Sequence, residues 1–191
     1  MYTFIAKYNI DVGTATFTSS DFSSDYSETH FYISNIHVTS SNSSFQMQVN
    51  ATGETGFNET MTNNTSYFAY NTEDTPGSDG GPGLGGGQHS GTGYAILTEA
   101  NLNTDTDSSN NGVIKFYNPT ETTHFKVWSA QLSTTSNSAK AVVAISHGVI
   151  DTASYKAIES VQLKCSAGNM DSGSILVYGV SFVSSSKTKI S

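Results

Sequence analysis

The chain contains no arginine. Its positive charge rests on eight lysines against sixteen Asp and Glu, for a net charge of −8 in 191 residues. Guanidinium forks are the main means of gripping phosphates and guanine edges, and an acidic surface repels a polyanion. The composition therefore argues against nucleic acid as a partner. AT-rich codon usage accounts for the missing Arg, and it suits the Asn and Lys content as well. Charged residues of both signs make up only 13% of the chain, and hydrophobic ones only 36%. Ser, Thr, Asn and Gly take up the difference. Ten Tyr, ten Phe and one Trp still separate it from a disordered sequence, which is poor in aromatics. The expectation is a folded chain with a thin core and broad, uncharged polar surfaces.

Cysteine is nearly absent too. Cys165 is alone, so no intrachain disulfide exists. Alternation places it with Val161 and Leu163 on one strand face, where it reads as a small buried hydrophobe and not as a reactive thiol. No run approaches the roughly 20 apolar residues that span a bilayer, so no membrane partner is expected. The opening Met1–Lys7 lacks the basic and apolar regions of a signal peptide. The protein is expected to be made soluble in the cytoplasm and not exported by the general secretory route. Five Asn-x-Ser/Thr matches, at Asn42, Asn50, Asn58, Asn63 and Asn64, are what chance gives in so polar a chain.

Catalytic and cofactor patterns are missing as well. The Gly-rich run lacks the Gly-Lys-Ser/Thr of a phosphate loop, and no Gly-x-Ser-x-Gly occurs. Asp105 and Asp107 resemble the start of a calcium loop, but Asn110 stands where Gly is required and Phe116 where a bidentate Glu is required. A looser calcium site at Asp105 and Asp107 stays open at this point. The five His, at 30, 37, 89, 124 and 147, show no zinc spacing. His30 and His37 fall on opposite strand faces unless a bulge lies between them. The expectation is a non-enzyme without cofactor or metal.

What is present is period two. No stretch sustains helical periodicity for three turns. Phe45, Met47 and Val49 alternate with Gln46, Gln48 and Asn50, giving an inward and an outward set. Around Phe31–Val38 the alternation slips once near Ser34–Asn35, which predicts a bulge. Further strands are read at Gly93–Thr98, Gly112–Tyr117, His124–Leu132, Ala141–His147, Ile158–Cys165 and Ser174–Val183. Gly168-Asn169 supplies the turn before the last of them. The spacing assigns Phe31, Ile33, Phe45, Met47, Val49, Phe125, Val127, Val143, Ile145, Val161, Leu163, Leu176 and Tyr178 to the space between two sheets. Ten or so short strands with turn clusters between them predict an all-β, single-domain antiparallel β-sandwich of jelly-roll type over residues 1–191.

One stretch departs from this rhythm. Residues 71–93 read as a long Gly-rich loop, either a tolerated insertion or a segment ordered by a neighbouring subunit. Leu84 is the large apolar residue at its centre. Leu84, Tyr67, Tyr70 and Trp128 are the candidate partner-contact residues, with Trp128 read as core or interface.

The closing phrase Ser172-Gly-Ser-Ile-Leu-Val-Tyr-Gly-Val180 resembles the last hairpin of small β-sandwich proteins on tailed-bacteriophage virions, found in head-decoration and tail-fibre proteins. Thr29–Ile36, Phe45–Val49 and Ser66–Tyr70 follow that family's earlier segments in order. The resemblance implies a virion role on the particle surface, with the major capsid protein as partner. The chain length, a sandwich starting near Met1 and a short tail at 184–191 suit a decoration or cement subunit, with a homotrimer as the natural assembly. The alternative is a receptor-binding or glycan-binding tail module directed at a host-surface glycan, with Tyr67 and Tyr70 stacking on sugars.

Overall fold

A computed structural model describes residues 1–72, 82–99, 102–137, 140–152 and 155–181. Among them there are twelve strands and no helix. The strands are β1 (Tyr2–Asn9), β2 (Thr16–Ser19), β3 (Glu28–Val38), β4 (Phe45–Ala51), β5 (Thr60–Thr72) and β6 (Pro82–Gly91). They continue with β7 (Ala95–Ile96), β8 (Asn110–Tyr117), β9 (Lys126–Thr135), β10 (Lys140–Asp151), β11 (Ile158–Cys165) and β12 (Met170–Val180). Eight form one sheet in the order β1-β12-β3-β8-β9-β10-β5-β6; four form a second, β2-β11-β4-β7. Every pairing is antiparallel. The two sheets share one apolar core. Phe45, Met47, Val161 and Leu163 of the smaller sheet join Phe31, Ile114, Trp128, Leu132 and Val177 of the larger.

The bulge read in β3 is present. Asn35 has φ 52°, and the register slips against β8 between Ile33 and Ile36. The extra residue resets the phase, so Phe31, Ile33, Ile36 and Val38 are all buried. β12 bends with it at Gly173 (φ 113°), where an added Cβ would lie 2.5 Å from the Asn35 carbonyl oxygen. The same bulge puts His30 and His37 on one face, each with its own carboxylate: Glu28 at 2.6 Å and Asp171 at 2.8 Å.

Of the residues assigned to the core, Phe31, Ile33, Phe45, Met47, Val49, Val161 and Leu163 are buried. Phe125, Val127 and Ile145 are not; Val143, Leu176 and Tyr178 are half-buried. In β9 the inward set is Lys126, Trp128, Ala130 and Leu132, and in β10 it is Val142, Ala144 and Ser146. The phase is inverted because a lysine occupies an inward position. Lys126 keeps its stem inside while Nζ donates to the carbonyls of His124 and Tyr155, each at 2.9 Å. Burial pushes its pKa down, partly offset by Glu121.

Gln48, assigned to the outward set, is also buried, because the chain just before β5 and just after β6 folds over it. Its Nε2 donates to the carbonyls of Glu59, Thr92 and Gly93 at 3.1, 3.0 and 2.9 Å. The expected strand Gly93–Thr98 shrinks to the two residues of β7.

Where the loop was expected over 71–93, the described residues are mostly strand. β5 runs to Thr72, and Pro82–Gly91 pairs with it as β6, with Leu84 opposite Ser66. Glycine has low strand preference, but a long unpaired edge on β5 offers backbone partners at close range. At Gly87 a Cβ would come within 2.7 Å of the Asn63 carbonyl oxygen. Residues 73–81 and the tail at 184–191 lie outside the described residues.

Candidate functional site

Trp128 is completely buried, so the single chain places it in the core and removes it as a contact candidate. Tyr67 is half-buried and shares the inward-facing row of Ala144 and Leu132. The backbone of Tyr70 pairs opposite Ala141. The side chains of Tyr70 and Leu84 lie outside the described residues. Of the two with described side chains, Trp128 is fully buried and Tyr67 half-buried, so they form no shared exposed site.

Other residues do. The outward face of the larger sheet, which normally meets water, is apolar over much of its width. Leu176, Tyr32, Val113, Gln131 and Ile145 follow one another across five adjacent strands. On the β1 side this face forms a groove of about 890 Å³, floored by Tyr2, Tyr32, Tyr178, Leu176 and Val113. One wall carries Gln131, Ser133 and Ser34. Tyr178 is the hub of the rings. Phe4 meets it at 5.5 Å and 67°, Tyr32 at 5.5 Å and 84°, and Tyr2 at 6.4 Å and 72°. Edge-to-face packing of this kind holds each ring in a fixed orientation. Beneath Tyr2 lies the buried His30, ring centroids 5.5 Å apart, tied by Nε2 to Glu28. Its Nδ1 has no protein partner among the described residues. Burial, followed by a hydrogen bond with Tyr2, pushes the Tyr32 hydroxyl above its ordinary pKa.

The other half of this face, on β9, β10 and β5, carries exposed apolar side chains around the polar row Ser129, His147 and Asn64. Val127 and Val149 are cross-strand neighbours, 46% and 37% exposed; Ile145 is 44% and Phe68 38% exposed. Sequence reasoning missed this half because Val127 and Ile145 were assigned to the core, and the tyrosine half for a different reason. Tyr2, Tyr32 and Tyr178 are outward residues of strands far apart in sequence, and only the order β1-β12-β3 makes them neighbours.

A second cluster surrounds His37. Nδ1 faces Asp171 Oδ1 at 2.8 Å, and Nε2 faces the carbonyl oxygens of Asp105 and Thr104 at 3.0 and 3.3 Å. Both ring nitrogens meet acceptors, so the doubly protonated ring fits the geometry. Burial alone would lower the pKa; the bonds to Asp171 and to the two carbonyls outweigh it and hold it above the ordinary value. The charged groups around the ring are Asp171 from β12 and Asp105 and Asp107 from the loop. The loop is closed on itself: Asn103 Nδ2 donates to Asp105 Oδ2 at 3.0 Å, and Ser108 Oγ donates to the Asp105 carbonyl at 2.8 Å. Among the described residues no group of three or more His, Cys, Asp or Glu is placed to hold a metal ion.

A raised His pKa stabilises the fold below the unfolded value of about 6.5, and the contribution fades as pH rises through the folded value. His37→Gln is therefore expected to cost about 1–2 kcal/mol at pH 5.5, the scale of a charge-assisted hydrogen bond, and clearly less at pH 8.5. Urea unfolding of both proteins at the two pH values measures this. Equal losses would show that the imidazolium charge contributes nothing.

Cys165 is 6% exposed, and burial pushes its thiol up to about 11, in keeping with an inert core position. No protein-family model, curated protein or solved structure matches the chain.

Proposed function

We propose that this chain is a non-enzymatic structural protein of a tailed-phage virion, a head-decoration or cement subunit with a jelly-roll-like sandwich. In this reading it sits on the outside of the particle and contacts the major capsid protein. The observation that carries the attachment is the set of exposed apolar side chains on the β9-β10-β5 half of the outer sheet face. Val127, Val149, Ile145 and Phe68 lie on three adjacent strands and are each more than a third exposed. Exposed apolar side chains gathered on one sheet face mark protein contacts, here as the pair Val127 and Val149 and the pair Ile145 and Phe68 on either side of the polar row Ser129, His147 and Asn64. Covering four such side chains contributes about 1 kcal/mol or more apiece, and many copies per shell sum these modest contacts. The virion setting itself rests on the resemblance of Ser172–Val180 and the segments before it. A homotrimer at a three-fold position is the assembly proposed with it.

The test is binding to particles that lack the protein. Wild-type chain is expected to bind at hundreds of copies per particle. Val127→Asp combined with Val149→Asp is expected to weaken binding at least tenfold, about 1.4 kcal/mol, with the fold retained because both positions face outward. No binding by the wild type, or a stoichiometry of tens, rejects the decoration role. Unchanged binding by the double variant rejects this face as the attachment surface.

A further inference from the structure

The tyrosine groove differs in chemistry from the exposed apolar side chains beside it. A dry protein contact is served best by aliphatic side chains. The groove instead pairs three phenol rings with a wall of one amide and two hydroxyls, so its lining alternates apolar faces with hydrogen-bonding tips. None of its lining residues carries a formal charge at neutral pH. Lys7, opposite Leu176, and Lys115, opposite His30, stand outside the lining. A ligand matched to this surface is uncharged, with C–H-rich faces for the rings and hydroxyls around its rim. A pyranose has that shape. Its axial hydrogens make a weakly polar face, and its hydroxyls both donate and accept.

We propose that this groove is a binding site for a neutral saccharide, held on Tyr2, Tyr32 and Tyr178 and oriented by Gln131 and Ser133. The volume of about 890 Å³ falls within the range of small-ligand sites. The site is also pre-organised. It lies on sheet strands and not on loops, and the mutual ring packing around Tyr178 fixes the aromatics before a ligand arrives. Little side-chain entropy is lost on binding, which suits weak ligands presented in many copies. The net charge of −8 works in the same direction, because it disfavours anionic sugars at long range. Ile145 adjoins the groove through its partner Gln131, but Val127 and Val149 stand outside the lining, so their variants separate the saccharide site from the capsid role.

The experiment is a glycan array carrying neutral, sialylated and sulfated oligosaccharides, followed by NMR titration of the full chain with the best neutral probe. Binding to neutral members is expected, with the largest shifts at Tyr2 and Tyr32. Tyr2→Ala, at a 57% exposed position, is expected to bind at least about tenfold more weakly. Tyr32→Phe, which keeps the ring, is expected to bind within about threefold of wild type. Gln131→Leu is expected to lose selectivity among neutral sugars. The Val127→Asp, Val149→Asp protein is expected to bind the probe as wild type does. Absence of neutral binding at millimolar probe, preference for the sulfated or sialylated members, or wild-type affinity in Tyr2→Ala would each overturn the proposal. So would loss of particle binding in Tyr2→Ala without any glycan binding by the wild type, since the groove would then be a protein dock.

Discussion

Trp128→Ala is expected to lower unfolding free energy by about 3–5 kcal/mol, while Val127→Ala one residue earlier costs less than about 1 kcal/mol. The contrast follows from which face of β9 is inward. Trp128 is 0% exposed and sits opposite Gly148, where an added Cβ would lie 2.8 Å from the indole Nε1. The absence of a side chain at Gly148 makes room for the ring. Removing the indole leaves a cavity that two hydrogen-bonded sheets cannot collapse to fill. Val127 is 46% exposed on the outer face and leaves no void. Nε1 has no protein acceptor among the described residues. Trp128→Phe therefore removes an unpaired donor along with some volume, and is expected to cost only about 1–2 kcal/mol. Chemical denaturation of the three variants measures the set. Equal losses for Trp128→Ala and Val127→Ala would mean that β9 has the opposite phase.

That phase was the hardest part of the fold to read. Alternation identifies a strand but not which of its two faces is buried, unless one of them is polar. In β4 the outward residues Gln46, Gln48 and Asn50 are polar, and Phe45, Met47 and Val49 are buried as expected. In β9 the outward face carries Val127 and the inward face carries Lys126, so polarity points the wrong way. Lys126 is tolerated there because two carbonyls at the end of the strand need a donor. β10 fails for a related reason: Val143 and Ile145 look out beside the inward Val142 and Ala144, and both faces are apolar.

The β3 bulge, by contrast, was legible because Ile33 and Ile36 demand the same side at an odd spacing. The Gly-rich strand was not. Its pairing comes from the free edge of β5 and has no signature in its own residues. The candidate site was illegible for the same reason. A groove made by Tyr2, Tyr32 and Tyr178 exists only once strands from the two ends of the chain lie side by side. Tyr67 was expected as an exposed ring and Leu84 as the apolar centre of a loop; Tyr67 is half-buried on the inward row, and Leu84 stands opposite Ser66 in a strand.

The strand spacing beneath the groove rests on Gly112, and Gly112→Ala is expected to cost about 3 kcal/mol or more. The residue pairs with Ile33 of β3 on one side and Leu132 of β9 on the other. Its φ is +154°, and an added Cβ would lie 2.1 Å from the Gln131 carbonyl oxygen and 2.8 Å from Leu132 Cα. The nearest obstacles are backbone atoms of a neighbouring strand, so no rotamer change relieves the overlap; β8 and β9 must part. Gly53→Ala is the control. Gly53 also has positive φ, +75°, but a Cβ there meets nothing within 4 Å, so the cost is conformational strain of about 1 kcal/mol. The difference of about 2 kcal/mol between the variants isolates the steric contribution. Gly112 also lines the groove beside Val113, which pairs with Gln131, so parting these strands shifts Gln131 and Ser133 relative to the tyrosines. At temperatures where Gly112→Ala is still folded, it is expected to bind the saccharide probe more weakly, while Gly53→Ala binds normally. Equal stability of the two alanine variants would show that β8 and β9 do not approach as closely as the pairing requires.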